Sequence, residues 1–214
     1  MTVVRRSELV LTHLDRAAKR MLDSVGAVAL LMALAPLLAL LALLVRLDSA
    51  GPSLFRQERV GLGGRTFTML KFRSMYVDAD ERVHAIYTTD CICAGLPLLK
   101  LQADPRITRV GRFLRVTSLD ELPQLWNVLR GDMSLVGPRP ALPYEVELYD
   151  EVLRQRLQAK PGLTGLAQIH SRGRGTLAEY VRYDLEYLAR RSFWLDLRIL
   201  VHTVPAVLRA RGAE

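Results

Sequence analysis

A chain of 214 residues, half of them hydrophobic, has material for one domain with a real core and does not require two. Its net charge of +8 and pI near 9.9 imply an anionic partner; the arginines form no basic tail and are not interleaved with aromatics, so a nucleic-acid groove has no support beside acidic lipid or a phosphorylated substrate. The two cysteines, Cys91 and Cys93, are too close for an easy mutual disulfide and lack the further ligands of a zinc site, and the four histidines are scattered, so these residues read as thiols of a reduced compartment and as core or surface filler.

The chain begins with Leu9, Leu14, Ala17, Ala18, Met21 and Leu22 at helical spacing, which suggests an amphipathic lead-in with Arg16, Lys19 and Arg20 available to lipid phosphates. From Gly26 to Val45 it runs GAVALLMALAPLLALLALLV without a charge. As a helix this stretch would be about 30 Å long, the thickness of a bilayer core. Pro36 near its middle removes a helix hydrogen bond. Both flanks are basic, with Arg16, Lys19 and Arg20 before and Arg46, Arg56 and Arg59 after, and the positive-inside tendency wants both ends on the cytoplasmic side. A helix-break-helix that enters and leaves through one face meets both conditions. Residues 1–46 are therefore expected to form the lead-in and a re-entrant membrane segment, and residues 47–214 a domain on the cytoplasmic face.

Ser53 to Val60 and Thr66 to Phe72 read as strands joined by the turn GLGG, a β-hairpin. The hairpin ends in KFRSM, which places Lys71 and Arg73 at a strand end, suited to an anionic neighbour or to solvent. VDADERVHAIY follows as a short helix from Asp78 or Asp80. Its D-x-D could hold a metal as in nucleotide-sugar glycosyltransferases, but no run of βα units surrounds it, and first-turn acids of a helix explain it better. Thr88 to Lys100 reads as an irregular loop.

TSLDELPQLWNVLRGDMSLVGPRP, Thr117 to Pro140, is the segment most concentrated in chemistry. Ser118 and Glu121 fit a capping box, although Pro123 complicates that register; a helix start at Asp120, with Pro123 in its first turn, fits equally. Either start puts Asp120 and Glu121 at a helix N-terminus, where negative charge is favoured. Val146, Tyr149, Leu153 and Leu157 then form a helical stripe, PGLTGLAQ is turn-rich with glycines that permit close backbone approach, and Thr176 with Glu179 caps a helix burying Leu177, Tyr180, Val181 and Leu188. FWLDLRILVHTVPAVLRA closes the chain as a core or lipid-interface helix headed by Phe193 and Trp194.

KFRSM, GRFLRVTSLDELPQLWNVLRGDMSLVGPRP, KPGLTGLAQ and YDLEYLARRSFWLDLRIL, in this order, resemble the bacterial sugar transferases known as monotopic phosphoglycosyl transferases, over about Lys19 to Leu208. The likeness is to the small members that consist of the catalytic core. It implies an α+β fold, mostly helical with a small hairpin and a re-entrant membrane helix at the cytoplasmic face of the bacterial inner membrane. It also implies transfer of a sugar 1-phosphate from a UDP-sugar to polyprenyl phosphate, with release of UMP. By position, Asp120 matches the nucleophile and Mg²⁺ ligand, Glu121 its acidic partner, Arg115 a phosphate-contacting arginine, and Pro138-Arg139-Pro140 the motif near the nucleotide. One departure is that Ala35, and not a polar residue, precedes the break at Pro36.

The chemistry suits these residue types. A carboxylate attacking a diphosphate brings two anions together, so a divalent cation and arginines are needed to spread the charge. The rival readings are a D-x-D glycosyltransferase built on Asp78 and Asp80, which would release UDP, and a membrane-anchored scaffold without catalysis.

Overall fold

The computed structural model describes residues 13–77, 81–96, 104–171 and 175–208. The chain opens with α1 (His13–Asp48), followed by the antiparallel pair β1 (Leu54–Val60) and β2 (Thr66–Phe72). Then come α2 (Glu81–Cys93), α3 (Arg109–Thr117), α4 (Gln124–Arg130), β3 (Ser134–Val136), α5 (Pro143–Glu147), α6 (Glu151–Arg154), β4 (Gly162–Thr164), α7 (Leu166–Ser171), α8 (Leu177–Arg190) and α9 (Phe193–Leu208). The fold is mostly helical with two small sheets, the α+β class that the sequence implies. Asp78 and Asp80 lie outside the described residues, as do Leu9, Pro97 and Lys100.

The hairpin forms as expected, Leu54 opposite Phe72 and Val60 opposite Thr66, because alternation along both strands buries one face. Its turn accommodates left-handed Gly63 and Gly64, a conformation glycine adopts without a steric penalty. The cap of α8 also forms, with Thr176 Oγ1 accepting from Glu179 N and Glu179 Oε2 accepting from Thr176 N.

Four expectations about the secondary structure outside the candidate site change. The region from Thr88 to Cys93 is the second half of α2 and not an irregular loop. The stripe from Leu142 to Gln158 is not one helix: Asp150 caps a new start through Leu153 N, and α5, α6 and a 3-10 turn at Gln155–Gln158 share it. PGLTGLAQ contributes β4, paired in parallel to β3, and the start of α7. Added Cβ atoms at Gly137 and Gly162 would each strike the other segment's backbone, so these glycines serve backbone-to-backbone contact.

The fourth change concerns the membrane helix. α1 is long and apolar enough to cross a bilayer, but it runs as one continuous helix through Pro36. Ala27, Leu31 and Leu34 pack on the main core. Leu38, Leu41 and Val45 continue the stripe on a second cluster with Phe72 and Leu114. These six positions alternate in steps of four and three, so a single face of α1 follows the domain. Met21, Val25, Val28, Met32, Leu40, Leu43 and Leu47 stay exposed.

Both ends of α1 are fastened to that domain. Arg20 donates to the Val128 and Leu129 carbonyls at the C-terminus of α4, 2.9 Å each. Lys19 reaches the Val136 carbonyl and Asp196. The expectation that Lys19 and Arg20 face lipid phosphates is therefore corrected: their donors go to carbonyls and a carboxylate inside the fold. At the other end Asp48 accepts from Val110 N, and Arg73 caps the helix through the Ser49 and Ala50 carbonyls, 2.6 Å each.

Candidate active site

The paired acids do not occupy the N-terminus of an α-helix. Ser118 is the left-handed C-cap of α3, with φ of 57°, and makes no side-chain cap; Leu119–Glu121 is a 3-10 turn, and α4 begins only after Pro123. The capping-box reading fails because the serine has already turned the chain out of α3. What holds the pair in place is its flanks: Leu119 and Leu122 both pack into the cluster with Leu41, Val45 and Leu114. One side of the Leu119-Asp120-Glu121-Leu122 turn thus faces the apolar helix, and the carboxylates lie partly exposed beside it.

Cations face these acids from two elements. Lys71 on β2 pairs with Glu121, Nζ to Oε1 at 3.3 Å. Arg115, in the last turn of α3, has its ordinary pKa lowered by burial, while the nearby charges of Asp120 and Asp104 oppose that shift. Asp104 is itself clamped by Arg106, whose Nη2 lies 2.7 Å from Oδ2 and whose backbone N–H donates to Oδ1. These bonds hold the Asp104 carboxyl below the usual range against the cost of burial. The segment is pinned beneath KFRSM by Tyr76 N to Arg106 O and by Thr108 N to Ser74 O, where Gly111 leaves room for the Ser74 backbone.

A second cationic group lies around Arg139. It pairs with Glu145 at 3.2 Å, and that carboxylate, fully buried, raises the arginine's already high pKa. Arg59 on β1 is buried beside them and donates to the Pro140 carbonyl at 2.9 Å. Burial, then Arg139, push it down to about 10, with Glu145 and Glu121 opposing. Arg156 donates to the Arg139 carbonyl and pairs with Asp184 at 2.6 Å. A shallow cleft of about 10 Å³, room for no more than a water, opens here, lined by Val60, Gly61, Pro138, Arg139, Arg156 and Pro161. Pro138 and Pro140 are buried and shape the loop; the Pro138 carbonyl accepts from Gly162 N.

The structure thus brings Asp120, Glu121, Arg115 and Lys71 together, and places Arg139 and Pro138 at a neighbouring cleft, with Pro140 buried behind it and its carbonyl bonded to Arg59. Arg73 has a different occupation: it is buried, and its terminal nitrogens donate to the exit of α1. Sequence reasoning missed Asp104, Arg106, Glu145 and Arg156. The D-P-R turn before α3 hinted at the first two; the last two are single charges within amphipathic stretches and carry no local signal.

A family profile described as bacterial sugar transferase matches residues 14–210. The chain belongs to the bacterial sugar transferase family. Among its relatives, a UDP-galactose-lipid carrier transferase of Erwinia amylovora is 43% identical over 213 residues, which are 99% of this chain and 44% of that protein. An undecaprenyl-phosphate glucose phosphotransferase of Komagataeibacter xylinus is 44% identical over all of this chain and 40% of its own length. A UDP-glucose:undecaprenyl-phosphate glucose-1-phosphate transferase of Caulobacter vibrioides is 45% identical over 91% of this chain and 71% of its own length. The chain therefore spans less than half the length of the first two relatives.

Proposed function

We propose that this sugar transferase moves a sugar 1-phosphate from a UDP-sugar to polyprenyl phosphate at the membrane surface and releases UMP. The observation that carries this reading is the Leu119–Leu122 turn, which fixes two carboxylates against an apolar helix exposed on its other face. A lipid acceptor cannot leave the bilayer cheaply and a nucleotide sugar cannot enter it, so the chemistry needs such a junction. The names of the relatives agree with it: two are transferases to undecaprenyl phosphate, and the donor sugars named are galactose and glucose.

In the first step an Asp120 carboxylate oxygen attacks the β-phosphorus of the UDP-sugar. The bond from that phosphorus to the oxygen bridging the two phosphates breaks, and UMP leaves with the electron pair. In the second step an oxygen of polyprenyl phosphate attacks the same phosphorus and Asp120 departs as the carboxylate. Splitting the transfer in this way gives ping-pong kinetics. Arg115 spreads the charge of the phosphoryl oxygens, Lys71 neutralises and orients Glu121, and Arg139, steadied by Glu145 and partly exposed, offers its guanidinium to the nucleotide phosphate.

Asp120 and Glu121 fit Mg²⁺ as well, since this ion needs one or two carboxylates and takes its remaining ligands from water and phosphate; among the described residues no cluster of three ligating side chains offers a fuller cage. When bound there, Mg²⁺ would supply Lewis-acid stabilisation of the phosphoryl oxygens.

The re-entrant arrangement at the cytoplasmic face belongs to the same proposal. Both ends of α1 are fastened to one domain through Arg20 and Asp48, which supports both ends lying on the same side of the bilayer. Exposed Trp194, Val201 and Val204 on α9 supply a further interfacial contact.

The test is to incubate the protein in nanodiscs with Mg²⁺ and a panel headed by UDP-glucose and UDP-galactose, without lipid acceptor, and to measure intact mass and released nucleotide. A phosphosugar adduct with UMP release, both lost in Asp120→Asn, is the expected result. Release of UDP would overturn the reading in favour of direct glycosyl transfer.

A further inference from the structure

The polar residues at the entry of α1 converge on one atom. Lys19 Nζ lies 3.0 Å from the Val136 carbonyl oxygen and 2.7 Å from Asp196 Oδ2 on α9. The Tyr187 hydroxyl of α8 sits between Asp196 Oδ1 at 2.9 Å and the same carbonyl at 3.1 Å. One turn along α1, buried Asp23 accepts from Leu135 N at 2.9 Å and lies 2.9 Å from the Ser134 hydroxyl. β3 has β4 on one edge, where Gly137 N donates to Thr164 O. Asp23 and Lys19 therefore act as the missing neighbour on its other edge.

Val136 is the last residue of β3, and Gly137, Pro138, Arg139 and Pro140 follow directly. That loop bears the arginine at the cleft and passes its Arg139 and Pro140 carbonyls to Arg156 and Arg59. The loop thus hangs from a strand end whose position α1 helps to set.

We propose that Lys19, with Asp23, is a positioning residue that couples the seating of the membrane helix to the Gly137–Pro140 loop through the Val136 carbonyl. This rests on the functional reading above for its catalytic consequence but not for its structural one. Its force is geometric. Lys19 could have satisfied Asp196 alone, yet its ammonium also reaches the backbone of the strand that leads to Arg139. A helix displaced from its seat would withdraw the Lys19 donor from the strand end and the Asp23 acceptor from the Leu135 amide, and the loop would loosen.

Lys19→Met alone leaves Asp23 and Asp196 buried without their cation and is expected to unfold easily. The informative protein is Lys19→Met/Asp196→Asn, which returns the cluster to its wild-type net charge, keeps an acceptor for Tyr187 and still lacks the donor to Val136. Reconstituted in nanodiscs, it is expected to recover most of the melting temperature lost in Lys19→Met and to remain membrane-bound. Amide exchange in the peptide spanning residues 133–142 should be about tenfold faster than in wild type, the size of one lost charged hydrogen bond. Helix α3, which makes no hydrogen bond to that peptide among the described contacts, serves as the unchanged internal reference. The KM for the UDP-sugar should rise about tenfold with kcat within about threefold. Exchange and KM both returning to wild-type values in the double variant would overturn the proposal, because Lys19 would then serve charge balance alone. Release of the double variant from the membrane would overturn it too, by making Lys19 a lipid anchor. Exchange needs no turnover, so a wild type inert toward every UDP-sugar would remove the functional reading and leave this test standing.

Discussion

Lys71 Nζ lies 3.3 Å from Glu121 Oε1, so the ion pair offered by the hairpin goes to the second acid of the pair while Asp120 faces Arg115 across the turn. This divides the two carboxylates by environment. Glu121 is held by a cation from another element and can keep its orientation as substrate arrives. Asp120 carries the charge whose attraction supports protonated Arg115, and these are the two residues proposed above as nucleophile and phosphate-binding arginine.

Lys71→Met is expected to lower kcat/KM by about 10- to 100-fold, because Glu121 loses its orienting partner and the site loses a positive charge. The melting temperature should change little, since both side chains are partly exposed and such pairs contribute little to stability. Steady-state kinetics beside a thermal melt decides it; a large loss of stability with unchanged kcat/KM would make Lys71 a structural residue.

Much of this site was legible as motif and little of it as geometry. The hairpin and the α8 cap could be read because each has a local rule, alternation in one case and a Thr-x-x-Glu spacing in the other. Ser118 misled because the same spacing follows the left-handed end of α3, where the serine closes one helix instead of opening the next. β3 and β4 have three residues each, too few for a period of two to show. Lys19 and Arg20 read as lipid contacts because a basic residue beside an apolar run looks the same whether its partner is a phosphate or a backbone carbonyl.

The buried pair of Arg156 and Asp184 makes a prediction about pH. Burial pushes the Asp184 carboxyl from 3.8 up to about 6, although Arg156 lies 2.6 Å away. Among the described residues, Asp184 Oδ2 and Arg156 Nε have no aligned hydrogen-bond partner, so the attraction is incompletely used. A carboxyl whose folded value exceeds its unfolded one binds its proton more tightly when folded. Its contribution to stability is fully present below the unfolded value and is lost as pH rises through about 6. Relative to Asp184→Asn, which does not titrate, wild-type stability should therefore fall by about 1 kcal/mol between pH 5 and pH 7. Denaturant titrations of both proteins across this range check the sign; a difference that grows with pH would show that Arg156 compensates the buried charge in full.

The crossing of Gly137 and Gly162 predicts intolerance of a single methyl group. A Cβ at Gly162 would meet Gly137 N and the Thr164 carbonyl, both backbone, which cannot swing aside as a side chain does. Gly162→Ala should cost about 1–3 kcal/mol or more and displace the loop that carries Arg139. Gly111→Ala, facing the Ser74 backbone, should behave alike. Thermal melts of the two variants would settle it; wild-type stability in Gly162→Ala would mean that β3 and β4 can separate without loss.

The seating of α1 predicts its topology. Thirty-six residues of helix extend about 54 Å, enough to cross a bilayer, yet Arg20 and Asp48 bind the same domain near opposite ends. With Cys91 and Cys93 replaced by serine, single cysteines at Arg16 and Arg46, both exposed, should react with a membrane-impermeant thiol reagent from the cytoplasmic side alone in inverted vesicles. A spanning helix would give opposite sidedness at the two positions and would require the contacts at one end to break. Pro36→Leu restores the hydrogen-bond donor that proline lacks and fills the exposed apolar face. If Pro36 sets the shallow course of the helix, this variant should move part of the Arg16 label to the far side while Arg46 stays cytoplasmic. Unchanged sidedness in Pro36→Leu would assign the topology to the anchors at Arg20 and Asp48 instead, and Arg20→Met should then be the variant that shifts it.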